Sequence, residues 1–88
     1  MDFRLTTPCV TAGVFDAFPK KDICLKMDFV KEMFEKLNYK IKASSDLVVV
    51  VTKGEIELAL YRRGRLIIKN VKTEKEAEEI AVEIFSNF

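Results

Sequence analysis

An α+β domain, an antiparallel sheet of about four or five strands with two helices packed on one face, is the fold this sequence predicts. Three patterns predict it. Residues 55–61, EIELALY, alternate strictly, with Ile56, Leu58 and Leu60 on one side and Glu55, Glu57, Ala59 and Tyr61 on the other. Residues 46–52, DLVVVVT, form a continuous β-branched run. Residues 28–38 and 73–88 carry apolar side chains at helical spacing.

The N-terminal stretch FRLTTPCVTAGVF supplies a first strand, interrupted at Pro8, and DAFPKKD reads as a loop. Asp28 is placed to cap a helix in which Phe29, Val30, Met33, Phe34 and Leu37 share one side. Asn38 suits its exit, because asparagine tolerates the left-handed conformation found at helix ends. YKIKA, 39–43, is a short strand or an extension of the next one. Lys53-Gly54 makes a turn after 46–52, and Arg62-Arg63-Gly64 a hairpin loop after 55–61, with 65–71, RLIIKNV, as the return strand. Thr73-Glu74-Lys75-Glu76 is a capping box, in which the Thr hydroxyl and the Glu carboxylate satisfy each other's N–H groups. Ala77, Ile80, Ala81, Ile84, Phe85 and Phe88 follow as one apolar stripe.

The alternation assigns Leu47, Val49, Val51, Ile56, Leu58, Leu60, Leu66 and Ile68 to the helix side. The opposite face then shows Val48, Val50, Ala59, Tyr61 and Ile67 among Asp46, Glu57 and Lys69. A face that apolar is seldom left in water without a use.

At 88 residues the chain, 1–88, forms a single domain. The net charge of +1 gives no whole-molecule attraction to nucleic acid or to an anionic membrane. Its distribution is uneven. Residues 46–72 hold six Lys/Arg against three Asp/Glu, and residues 73–88 hold one against five. Cys9 and Cys24 are the only cysteines and histidine is absent, which excludes the usual zinc sites. Met1-Asp2-Phe3-Arg4 lacks the basic and long apolar regions of a secretory signal, and no apolar run is long enough for a membrane span. The expectation is a cytoplasmic protein with two buried or half-buried thiols, no cofactor and no membrane partner. Abundant Lys and Glu with no Gln lean toward a heat-loving source.

The segment LALYRRGRLIIKNVKTEKEAEEIAVEI, 58–84, resembles the end of one repeat of the TATA-box-binding protein family. That repeat ends with a strand of the type A-L-I-F, a turn S-S-G-K, a strand I-V-V-T-G, then A-K-S-E-E-E-A and a helix. Anchoring Gly64 on the turn glycine brings Arg65 to the turn lysine, Lys72 to the lysine of A-K-S, and Thr73 to the capping serine. The alignment runs without gaps back to about Ser44 and covers most of one repeat. The resemblance implies a curved half-saddle whose helix-free sheet face meets a widened minor groove, where each repeat inserts a pair of phenylalanines. The second of these falls on Tyr61 and the first on Ser44, which cannot wedge. The groove-contacting Val and Thr of the last strand fall on Ile67 and Lys69. An asparagine of the family's first strand has no match in PCVTAGVF. TATA recognition is therefore not expected of this chain. The resemblance also implies a symmetric homodimer through the first strand's edge, where the family's two halves meet.

Catalysis has no visible constellation. Asp16, Asp22, Asp28 and Asp46 are scattered, and without histidine no Ser–His or Cys–His pair exists. Two functional readings remain. The first is a non-enzymatic nucleic-acid-binding module that uses Tyr61, Arg62, Arg63, Arg65, Ile67 and Lys69 with the apolar face Val48, Val50 and Ala59. Its arginines are expected at an exposed hairpin tip, with little share in holding the fold together. The second is a homo-oligomeric protein-interaction or small-ligand-sensing domain that buries the same face.

Overall fold

The computed structural model describes residues 3–6 and 14–87. It shows an α+β chain with six strands and two helices: β1 (Phe3–Thr6), β2 (Val14–Pro19), α1 (Met27–Lys36), β3 (Lys40–Ser44), β4 (Val48–Lys53), β5 (Ile56–Tyr61), β6 (Leu66–Lys69) and α2 (Glu74–Phe85). The sheet is open and antiparallel throughout, in the order β1-β2-β6-β5-β4-β3.

Two rows of side chains explain the core. Ala17, Leu66, Leu60 and Val49 stand opposite one another across β2, β6, β5 and β4, as do Phe15, Ile68, Leu58 and Val51. Directly opposed residues share a face. All eight are buried, in one cluster with Val30, Met33 and Phe34 of α1 and Ala77, Ala81, Ile84 and Phe85 of α2. Both helices therefore cover the same face, α1 over β3 and β4 and α2 over β2. Phe3 stacks on Phe85 at 5.2 Å, which ties the β1 edge to α2. Tyr39 meets Phe34 edge-on at 5.4 Å, and Lys53 Nζ lies 4.9 Å over the Tyr39 ring while donating to the Leu37 carbonyl. Burial, with Glu83 nearby, pushes the Tyr39 hydroxyl up to about 12.

The expected turn chemistry is present. Asn38 takes a left-handed conformation at the exit of α1, and Asn70 does so after β6. Thr73 Oγ1 accepts from the Glu76 N–H at 3.1 Å, which is the Thr half of the expected capping box.

Several expectations are corrected. The sheet has six strands rather than four or five, because the N-terminal stretch gives two and YKIKA gives a separate β3. DAFP is part of β2 and not a loop. Phe15 and Ala17 enter the core, and an ion pair described below accommodates Asp16 between them. Asp28 does not cap α1: the helix begins at Met27 after an extended Lys26, and Asp28 in the first turn pairs with Lys31 at 3.6 Å. There its charge still faces the positive end of the helix. Phe29 is exposed rather than in the core. Leu47, assigned to the helix side, is 61% exposed. Ser45 Oγ accepts from the Leu47 and Val48 N–H groups, and this local turn lifts residue 47 off the sheet before β4 begins. Cys24 is exposed and free rather than buried. The interruption expected at Pro8, the thiol Cys9 and the end of the α2 stripe at Phe88 lie outside the described residues.

Candidate nucleic-acid interface

The face of the sheet without helices is crossed by three rows of side chains. At the hairpin end stand Arg4, Phe18, Arg65, Tyr61 and Val48, on β1, β2, the start of β6, β5 and β4. The middle row is Asp16, Ile67, Ala59, Val50 and Ala43. The far row is Val14, Lys69, Glu57, Thr52 and Lys40. The sequence-predicted set Val48, Val50, Ala59, Tyr61, Ile67 and Lys69 thus shares this face, and its apolar members are half-buried.

Both carboxylates among these rows are matched by cations. Asp16 is 3% exposed, and its Oδ2 accepts from Arg65 at 2.7 Å. The Arg65 guanidinium also lies 5.6 Å from the Phe18 ring centre and 6.0 Å from that of Tyr61, within cation–π range of both. Glu57 accepts from Lys42 at 2.8 Å and stands 3.8 Å from Lys69, directly opposite it. The Lys42 hydrogen bond, and then the two positive charges, hold the Glu57 carboxyl below its usual range. Lys42 reaches Glu57 from an irregularity in β3, where the register shifts between Ile41 and Ala43.

The three arginines do not form one solvated cluster. Arg62 and Arg63 are exposed. Arg65 is exposed as well, at 46% along its side chain, but it is held by Asp16 and the two rings, so the expectation that it has little share in holding the fold together is corrected. The turn backbone is also not a free tip. The Arg62 N–H donates to the Leu47 carbonyl at 2.8 Å, and the Arg62 carbonyl accepts from Leu25 at 2.7 Å. Gly64, at φ 95°, is buried against Ile23 and Pro19.

Sequence reading missed Arg4, Asp16, Phe18 and Lys42. The signal for two of them was present: V-F-D-A-F alternates Phe15 and Ala17 against Asp16 and Phe18. Asp and Pro in the same stretch hid a strand behind loop composition. Ser44, the position of the family's first wedge, stands opposite Val49 and so belongs to the helix side. Asp46 lies in the bend before β4.

The helices have the opposite charge. On α1, Asp28, Glu32 and Glu35 stand against Lys31 and Lys36; on α2, Glu74, Glu76, Glu78, Glu79 and Glu83 stand against Lys75 alone. Among the described residues no three His, Cys, Asp or Glu side chains converge on a metal site. Among them also, no helix is long and apolar enough to cross a membrane. No protein-family model matches the chain, and no curated protein or solved structure does so either.

Proposed function

We propose that this chain is a small non-enzymatic nucleic-acid-binding module that uses the helix-free face of its sheet. The observation that carries the reading is charge polarity. Arg65, Lys42 and Lys69 offset the carboxylates of that face, and Arg4 and Lys40, which stand in its rows, add positive charge. The acidic side chains gather instead on the helices. A basic face with two aromatic rings and an apolar centre suits a phosphate backbone with bases lying inward. The resemblance of 58–84 to a TATA-box-binding repeat points to the same side of the sheet, as part of a half-saddle.

Titrating labelled single- and double-stranded oligonucleotides of mixed sequence tests this. Binding is expected at about 50 mM salt and should weaken steeply by about 200 mM, as phosphate contacts require. No binding to either at low salt would sink the reading.

A homodimer through the N-terminal edge strand is the second reading, favoured by a difference between the two sheet edges. Edge strand β3 carries an irregularity and the exposed Lys40 and Lys42, features that discourage pairing. Edge strand β1 is regular and pairs with β2 through all four of its residues. Sedimentation should then show a species of twice 10.1 kDa, and a 10.1 kDa particle at tens of micromolar counts against it.

A further inference from the structure

We infer that the ligand is single-stranded nucleic acid, with one unpaired base stacked on Phe18 and its phosphate in the adjoining cleft; this rests on the nucleic-acid reading above. Phe18 is 38% exposed, an unusual position for a phenylalanine in a strand centred on core residues. Beside it a cleft of about 440 Å³ is lined by Arg4, Phe18, Pro19 and Lys20. A ring that bears on a cleft with two cations is the arrangement that takes a base and its phosphate together.

Spacing decides between single and double strand. Phe18 on β2 and Tyr61 on β5 flank β6, so their strands stand roughly 10 Å apart. Duplex bases stack every 3.4 Å or about that along each strand, closed to both rings unless a wedge forces them open. The wedge pair that the resemblance implies is not available, because Ser44 lies on the helix side of β3. Unpaired bases splay apart and settle on separate platforms. Here Phe18 and Tyr61 are two such platforms, and Arg65, fixed by Asp16, presents its guanidinium between them. Arg65 is a positioning residue in this arrangement, and Arg4 and Lys20 contact phosphate.

Fluorescence anisotropy with labelled oligo-dT, oligo-rU and a mixed-sequence duplex of equal length provides the test. Either single strand should bind at least tenfold more tightly than the duplex, and the dT and rU arms show whether the 2′-hydroxyl contributes. Phe18→Leu should weaken single-strand binding roughly fivefold or more, while Phe18→Tyr retains it. Arg4→Ser with Lys20→Ser should reduce the slope of log K against log salt by about 1.4. Circular dichroism melting of each variant establishes that it is folded. Equal binding of duplex and single strand, or a folded Phe18→Leu that binds as wild type, overturns the inference and leaves the proposed function standing. Binding to none of the three probes removes both.

Discussion

Asp16 and Arg65 meet at 2.7 Å across 49 positions of the chain, one at the centre of β2 and the other at the entry to β6. The contact joins the first part of the sheet to the last. It also allows a carboxylate to sit almost wholly out of water in a strand whose neighbours on either side, Phe15 and Ala17, are core residues. Removing the cation from such a pair costs more than the pair contributes, because the remaining charge stays buried.

Arg65→Ser should therefore destabilise the fold by about 2 kcal/mol. At this chain length that corresponds to a fall in Tm of roughly 10 °C. Arg62→Ser and Arg63→Ser should each change stability by less than about 0.5 kcal/mol, as exposed charges do. Thermal melts of the three variants check the contrast. Equal melting temperatures would mean that Arg65 is no more structural than its neighbours.

Gly64 and Gly54 should respond differently to alanine. Both have positive φ, 95° and 63°, and both lose glycine's freedom there. A Cβ at Gly54 meets nothing within 4 Å, so the cost is the conformational one, about 1 kcal/mol. At Gly64 it would lie 2.6 Å from Ile23 Cδ1 and 2.7 Å from Pro19 Cγ. Gly64→Ala should cost about 1 kcal/mol more than Gly54→Ala, by overpacking. Urea denaturation should also show the excess shrinking in an Ile23→Ala background, where the clash is relieved on one side.

Alkaline stability should follow Tyr39. Its hydroxyl ionises at about 12 in the folded chain, above the ordinary value of 10.0. A group with a raised folded pKa contributes its stability in full below the unfolded value, and loses it as pH rises through the folded one. Stability should thus fall between about pH 10 and 12, by an amount on the order of 2 kcal/mol. Tyr39→Phe should flatten that fall while leaving stability at neutral pH nearly unchanged. A steep loss that persists in Tyr39→Phe would assign it to another group.

Glu57 should titrate below an ordinary glutamate, because Lys42 donates to it and Lys69 faces it. With a depressed folded pKa, its contribution is present above the unfolded value and is lost as pH falls through the folded one. Lys42→Ala should move the carboxyl resonance midpoint upward by NMR. No movement would show that the hydrogen bond is not what lowers it.

Much of the fold was legible because periodicity and core burial agree along β4, β5 and β6. Leu58 and Leu60 alternate as they pack, and α2 buries Ala77, Ala81, Ile84 and Phe85 of the stripe that its spacing announces. The N-terminal half was harder to read, for a physical reason. In β2 a charged residue and a proline occupy a strand that pairs on both sides, and the ion pair with the distant Arg65 helps to accommodate Asp16 there. Sequence spacing carries no trace of a partner 49 residues away. The same blindness explains the site. Tyr61, Ile67 and Val50 were visible from alternation, whereas Phe18 and Arg4 reach the face only through the β1–β2–β6 register.

The two rings belong to parts of the chain that lie far apart in sequence, Phe18 on β2 and Tyr61 on β5. Strands β3 to β6 are sequence neighbours that each pair with the next, whereas β1 and β2 join them through the β2–β6 ladder, the Asp16–Arg65 bridge and the burial of Phe15 and Ala17 in the shared core, and join α2 through the Phe3–Phe85 stack. Local opening along that seam would carry Phe18 away from Tyr61 and dissolve the platform while most of the sheet stayed intact. A ligand lying across both rings binds the closed seam and not the open one, so it stabilises closure by mass action. On the proposed function, amide exchange in β2 should accordingly slow when the face is occupied, and by more than in β4, and the N-terminal strands would then act as a latch.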